Sequence, residues 1–180
     1  AVELWTRVLR AIPSSRMIVK APGLDDPETR ARLLEQFEKH HVSSHRLAFF
    51  GITSPLATFL AEYARVDIAL DSLPYTGGTT TCEALWMGVP VITLAGRHFH
   101  ERMGASVLHH AGLGELVADD EDDYVRLAVK LARNLPELAL RRAELRQQVR
   151  ASRLCDGPGY ARALEDGYRR MWRKAVGAGG

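Results

Sequence analysis

VDIALDSLPYTGGTTTCEALWMGVPVITLAG, residues 66–96, reads as strand, loop, helix and strand in that order. VDIAL (66–70) and PVITLAG (90–96) are apolar runs of strand length, and the loop between them is broken by Pro74 and by the pair Gly77 and Gly78. Strands joined through a helix run parallel, because a tight hairpin joins only antiparallel neighbours. The segment therefore specifies a strand–helix–strand unit, and the flanking sequence repeats its rhythm. Met17–Lys20, ended by Pro22 and Gly23, and Leu47–Phe50 are two further strand patterns, and GELVA (114–118) is a weaker fifth. Between them lie helical stretches. The chain opens on one. A second runs from about Pro27 to His40, capped by Asp25 or Asp26 with Glu28 in its first turn. A third begins at Ser54 and Pro55 and places Leu56, Phe59, Leu60 and Tyr63 on one face; a fourth runs from about Glu101 to Ala111 and is stopped by Gly112. The expected fold is a Rossmann-like, doubly wound α/β domain with a parallel sheet of about five strands, with residues 1–180 forming one unit.

Composition narrows the class of protein. An apolar fraction of 46% and a charged fraction of 26% are those of an ordinary globular chain, and no apolar stretch is long enough for a membrane span. The opening AVELWTRVLRAI has no initiator methionine and no signal-peptide layout, so the chain reads as part of something longer. Cys82 and Cys155 have no metal-ligand spacing and are too few for a disulfide scaffold, which fits a reducing cytoplasm. DDEDD (119–123) places acidic residues where a helix start would use them and lacks the glycine of a calcium loop. The net charge is +2, with the basic excess after Leu140; Arg142, Arg146, Arg150 and Arg153 recur at helical spacing and read as a solvated face, without the interleaved aromatics that nucleic-acid binding requires.

The chemistry concentrates in the loop. In open parallel sheets ligands bind outside the carboxyl ends of the strands, where the following helices aim their free N–H groups. Gly77 and Gly78 let backbone approach a ligand closely, and Thr79 and Thr80 add hydroxyl donors at a helix start that already favours an anion such as a diphosphate. Glu83 follows one turn later on the same face, where a carboxylate can accept from the paired hydroxyls of a ribose. The competing reading makes Thr79 a helix cap, with Glu83 completing a capping arrangement. Neither G-x-G-x-x-G nor a lysine-bearing phosphate loop is present.

Residues 66–113, in which these features lie, resemble the C-terminal nucleotide-binding lobe of the O-GlcNAc transferase-like glycosyltransferases, a group that includes bacterial tetratricopeptide-repeat glycosyltransferases and plant SPINDLY proteins. The resemblance extends from LWTRVLRAIPSSRMIVKAP (4–22) to YARALEDGYRRMWRKA (160–175). It implies the C-terminal half of a two-lobed GT-B enzyme that inverts the anomeric centre and uses a nucleotide sugar as substrate, with no metal and no cofactor. By the same resemblance Thr79 and Thr80 contact the diphosphate of UDP, Glu83 holds the ribose, Gly77 keeps the family's glycine, and Asp71–Tyr75 border the sugar and diphosphate. Ser54 and Pro55 fall in the segment that meets the uracil. Phe59 departs from the pattern, standing where family members often have a histidine; its place on an apolar helix face also fits a core residue. No catalytic residue is assigned within the chain, because the family's N-terminal lobe supplies groups near the reacting centre and a diphosphate-neutralising lysine precedes the position of Ala1. The C-terminal helices, 156–175, read from spacing alone as packed on their own domain; the resemblance adds the alternative that they cross back to that lobe, which in its absence would leave aromatics exposed or repacked.

Other chemistry finds less support. His98 and His100 are separated by one residue, His109 and His110 are adjacent, and there is no H-E-x-x-H, so a metal site is not expected. His98, His100 and Arg102 should lie at the same sheet edge as the loop, either reaching a phosphate or the other lobe, or simply starting a helix. The function expected is the UDP or UDP-GlcNAc-binding lobe of a cytoplasmic protein O-glycosyltransferase that modifies Ser or Thr of an acceptor protein, with the isolated chain inactive. The alternatives are a GDP-fucose or UDP-glucose user, or a nucleotide-binding or interaction module without activity. Nucleic acid and membrane are not expected partners.

Overall fold

The computed structural model of the chain describes residues 1–177; of the end expected to fray, GAGG, Gly177 closes the last helix and residues 178–180 lie outside the described residues. The elements alternate through most of the chain: α1 (Val2–Ala11), β1 (Met17–Lys20), α2 (Pro27–Lys39), β2 (Leu47–Phe50), α3 (Leu56–Ala61), β3 (Ala69–Leu70), α4 (Thr79–Trp86), β4 (Val91–Leu94), α5 (Met103–His110), β5 (Val117–Ala118), then α6 (Glu121–Arg133), α7 (Leu135–Ala151) and α8 (Gly157–Gly177). Every pairing is parallel, as the strand–helix–strand rhythm requires. The strands form two ladders, β1–β2 and β3–β4–β5, rather than one continuous five-stranded sheet. β3 contributes only two residues because Asp67 and Ile68 form a bend before it, with Asp67 turned out to the Arg142 guanidinium at 2.7 Å.

Local chemistry sets most helix ends. Asp26 caps α2 by accepting from the Thr29 N–H at 2.7 Å, with Pro27 in the first turn. Within the acidic run 119–123, Asp120 caps α6 by accepting from the Asp123 N–H, while Glu121 and Asp122 pair with Arg7 of α1. Gly88 and Gly112 follow α4 and α5 in the left-handed region, at φ +78° and +73°, where a side chain would be strained. The fourth helix starts later than its periodicity implies: a 3₁₀ turn, Phe99–Glu101, precedes α5. α3 is shorter than its apolar spacing implies, passing into a 3₁₀ turn over Glu62–Arg65, and Leu56 is exposed rather than on a buried face.

Three apolar clusters make the core. One joins Ala84, Leu85, Val89 and Val91 to Leu108, Leu145 and Val149; another joins Leu4, Val8 and Ile92 to Tyr124 and Leu127; a third is built on Leu9, Phe37 and Val42. Trp5 packs against the second and third, which ties the two ladders together. The expected solvated arginine face holds only in part. Arg142 donates to the Gly88 carbonyl, and Arg146 donates to the Trp86 carbonyl at 2.6 Å while lying over the Trp86 ring, so both clamp the C-terminal end of α4; Arg150 and Arg153 are exposed. Carbonyls at a helix C-terminus lack intrahelical donors, and cationic side chains supply them.

Arg46 plays the same part for α1, donating to the carbonyls of Leu9, Ile12 and Ser15 and to the Ser15 hydroxyl at 2.8 to 3.0 Å. Replacing it with alanine strands partly buried acceptors, and the expected loss is about 1.5–3 kcal/mol. Urea denaturation of Arg46→Ala checks this: a midpoint unchanged from the parent would show that water satisfies those carbonyls equally well.

Candidate functional site

The loop leaving β3 is pinned from both ends by one residue. Asp71 is buried, and its Oδ1 accepts from the backbone N–H of Ser72 at 3.0 Å and of Gly77 at 2.7 Å. Its Oδ2 accepts from the Thr93 hydroxyl of β4 at 2.7 Å. Its own carbonyl accepts from the Tyr124 hydroxyl at 2.9 Å and the Trp5 indole at 3.3 Å. Burial pushes the Asp71 carboxyl above its usual range, and the hydrogen bonds from Thr93, Gly77 and Ser72 act in the opposite direction. Thr76 makes the next tie: its hydroxyl and N–H both donate to the His100 carbonyl at 3.0 Å, and its hydroxyl accepts from Gly104 N–H at the start of α5. The loop is thus held in place before any ligand is considered.

Gly78 is the N-cap of α4, and no side chain caps that helix. The reading of Thr79 as a cap, with Glu83 completing the arrangement, is therefore excluded. Thr79 and Thr80 are exposed, Thr81 is buried, and the first N–H groups of α4 have no acceptor within the helix. A methyl group added to Gly77 would meet the Thr81 hydroxyl at 2.5 Å and the Thr80 hydroxyl at 2.9 Å, so this glycine admits the threonines to the loop. Glu83, half-buried one turn on, has no side-chain hydrogen bond or ion pair among the described residues. Its charge is felt by Tyr63, whose phenol is pushed up to about 12, first by burial and then by Glu83, and whose hydroxyl donates to the Thr80 carbonyl.

From Tyr63 a line of contacts leads to the ends of β1 and β2. Phe59 meets Tyr63 edge-to-face with ring centroids 5.7 Å apart, and the Lys20 ammonium lies 5.3 Å from the Phe59 centroid. Lys20 donates to Glu62 and to the Thr53 hydroxyl, and Thr53 donates to Glu62 at 2.8 Å. The hydrogen bond from Lys20, followed by that from Thr53, holds the Glu62 carboxyl below its usual range. Phe59 thus has packing partners of its own, as a half-buried helix residue. Ser54 and Pro55 are exposed at the start of α3, and no hydrogen bond joins either to the glycine–threonine loop among the described residues.

The segment RHFHER (97–102) is occupied with its own structure. Glu101 accepts from the N–H groups of Arg97 and His98, His98 caps the 3₁₀ turn, and Arg102 donates to the Gly96 carbonyl at 3.1 Å. The His98 and His100 rings stack, and His100 stacks in turn on Tyr75. This is the helix-start alternative; Arg102 turns back to its own loop. Among the described residues no group of three or more His, Cys, Asp or Glu is placed to hold a metal ion, and no helix is long and apolar enough to cross a membrane.

Residues 1–164 match the family described as glycosyl transferase family 41. The chain belongs to that family. It is 40% identical over 173 residues to a protein of Arabidopsis thaliana named probable UDP-N-acetylglucosamine–peptide N-acetylglucosaminyltransferase SPINDLY, covering 96% of this chain and 19% of that protein. A Caenorhabditis elegans UDP-N-acetylglucosamine–peptide N-acetylglucosaminyltransferase is 26% identical over 178 residues, covering 96% of this chain and 15% of the relative. The chain thus spans about a fifth or less of the length of these relatives. Among solved structures, a mutant O-GlcNAc transferase of Thermobaculum terrenum superposes with a TM-score of 0.92 at 42% identity, covering 99% of this chain and 34% of that one. The fold is the C-terminal lobe of the GT-B architecture.

Within the family 41 lobe, the structure brings Gly77, Gly78, Thr79, Thr80 and Glu83 to one helix start, beside Tyr63. Sequence reasoning missed what holds that start in place. It gave Asp71 only as the first residue of the segment bordering the sugar and diphosphate, and gave Trp5, Thr93 and Tyr124 no part in it. An aspartate directly after a strand and before a glycine loop was a usable signal, because its side chain can accept from loop N–H groups. Nothing in the sequence marked Trp5 or Tyr124, which lie 66 and 53 residues from Asp71 along the chain.

Proposed function

We propose that this chain is the nucleotide-sugar-binding lobe of a metal-independent, inverting protein O-glycosyltransferase, and that the complete protein transfers N-acetylglucosamine from UDP-GlcNAc to Ser or Thr hydroxyls of proteins. The observation that carries this reading is the start of α4, whose loop Asp71 fastens through Gly77, with two exposed threonines and, one turn later, a carboxylate without a side-chain partner among the described residues. Such a start favours an anion through its N–H groups and dipole. Thr79 and Thr80 would donate to the diphosphate, and Glu83 would accept from the ribose hydroxyls. The base would lie toward Ser54 and Pro55. The names of the similar proteins support UDP-GlcNAc as donor and a peptide as acceptor.

In the reaction, an acceptor oxygen forms a bond to the anomeric carbon, the bond from that carbon to the diphosphate oxygen breaks, and UDP leaves with the electron pair. This lobe supplies the leaving-group side: the helix start and threonine hydroxyls stabilise charge as it develops on the diphosphate. A base for the acceptor proton and the rest of the sugar pocket come from the other lobe. Residues 1–180 act as one binding domain, with α8 reaching across to that lobe. Support comes from α8 itself, which has no buried residue and leaves Tyr160, Tyr168, Met171 and Trp172 exposed, Trp172 by 71%. The setting is the cytoplasm.

Calorimetric titration with UDP, UDP-GlcNAc and GDP tests the reading. UDP is expected to bind the chain weakly and in preference to GDP, and Glu83→Ala is expected to lose about 1.5–3 kcal/mol of that binding, the worth of a hydrogen bond to a charged group. A folded chain that takes none of the three ligands would refute the assignment of the loop, and a preference for GDP would refute UDP-GlcNAc as donor.

A further inference from the structure

Asp71 is a buried carboxylate directly beneath a loop assigned to bind an anion, and its charge is on the wrong side for that task. The bonds it makes explain its presence. Oδ1 gathers the N–H groups of Ser72 and Gly77, residues five positions apart in sequence, and so closes the loop on itself. Oδ2 fastens the loop to β4 through Thr93. A methyl group on Gly104 would come within 2.3 Å of Oδ2, so α5 packs directly on the carboxylate. No ion pair neutralises it among the described residues.

We propose that Asp71 is the positioning residue of the donor loop, acting through the hydrogen bonds that shape the loop, with its negative charge opposing the ligand. The neutral carboxyl can keep the same geometry. A proton on Oδ2 would be donated to the Thr93 oxygen, which can accept as well as donate, while Oδ1 still accepts from Gly77 and Ser72. Asparagine reproduces this pattern with its amide nitrogen facing Thr93. The groups packed on Asp71 are Thr93 of β4 and Gly104 of α5, against its carboxylate, and Trp5 of α1 and Tyr124 of α6, which donate to its backbone carbonyl. Of these only Tyr124 titrates, and burial pushes its phenol far up, so it stays neutral. The raised carboxyl of Asp71 favours the folded state most below the ordinary carboxylate range, and this contribution fades as pH rises through the folded value. The stability of Asp71→Asn relative to the parent should therefore increase from pH 4 to pH 7.

The ligand part of this inference rests on the donor-site reading, so the test has one arm with ligand and one without. In amide hydrogen exchange, Gly77 N–H should keep its protection in Asp71→Asn and lose about ten-fold or more in Asp71→Ala. In titration with UDP-GlcNAc, whose diphosphate does not titrate near neutrality, Asp71→Asn should bind within about three-fold of the parent or more tightly, and Asp71→Ala about ten-fold or more weakly. Asp71→Ser, too short to reach Gly77, replaces the alanine variant if that fails to fold. A folded Asp71→Asn that loses both protection and binding would overturn the proposal, and so would an alanine variant that keeps both. Exchange results as expected in a parent chain that binds no UDP-GlcNAc would uphold the shaping of the loop and refute the donor-site reading.

Discussion

Replacing Tyr124 with alanine is expected to lower the stability of the chain by about 3–5 kcal/mol, the range for removing a large buried aromatic side chain. Tyr124 is fully buried, packed with Leu4, Val8 and Ile92 in the cluster beneath β4, and its hydroxyl donates to the Asp71 carbonyl. The two contributions can be separated. Tyr124→Phe keeps the ring and removes only the hydroxyl, and the Asp71 carbonyl retains the Trp5 indole as donor at 3.3 Å, so a loss of about 1 kcal/mol is expected. Urea denaturation of both variants measures the two steps. Equal losses would mean that the hydroxyl, and not the packing, accounts for the whole effect.

Gly104→Ala is expected to destabilise the fold and abolish nucleotide binding together. A methyl group there would lie 2.3 Å from Asp71 Oδ2 and 2.8 Å from the Thr93 hydroxyl, both buried groups with little room to retreat. The change would gain up to about 1 kcal/mol of helix propensity. Against that stands overpacking of about 1–3 kcal/mol, and the only escape, displacement of the carboxylate, breaks its bond to Gly77. Gly78→Ala is the contrast for the fold alone: its methyl group would meet only the end of the flexible Met103 side chain, at 2.7 Å, so stability should change little. Thermal denaturation with UDP titration of both variants checks the pair. Full UDP binding by a folded Gly104→Ala would show that the carboxylate can move without opening the loop.

The competing readings of residues 66–96 were separable only in three dimensions. Both a diphosphate loop and a self-capped helix place threonine at the helix start and glutamate one turn later. What distinguishes them is that Gly78 takes the cap position and leaves Glu83 without a side-chain partner among the described residues. The arginines of α7 show the same limit. Helical spacing put Arg142 and Arg146 in line with Arg150, and spacing says nothing of what packs beside a helix. The neighbour is the C-terminal end of α4, whose carbonyls take up two of the guanidinium groups. The 3₁₀ turn before α5 was likewise hidden, because the chemistry that makes it, Glu101 accepting from two N–H groups, depends on how the loop folds back.

Residue type and spacing were enough for the alternation of strands and helices, their parallel sense, a cap at Asp25 or Asp26, an acidic helix start within 119–123, and the cluster Gly77, Gly78, Thr79, Thr80 and Glu83 at one helix start; the structure selects Asp26 and Asp120 as the capping residues. Each of these rests on interactions within one or two turns of the chain, where spacing and residue type carry the physics. Tertiary structure alone decided that the strands divide into two ladders, that Asp71 holds the loop, and that α8 lies without a buried residue. Those outcomes depend on partners far apart in sequence, such as Asp71 with Thr93, Tyr124 and Trp5, 22, 53 and 66 positions away. Such contacts form only when burial brings distant groups together and leaves each polar atom to find its partner there.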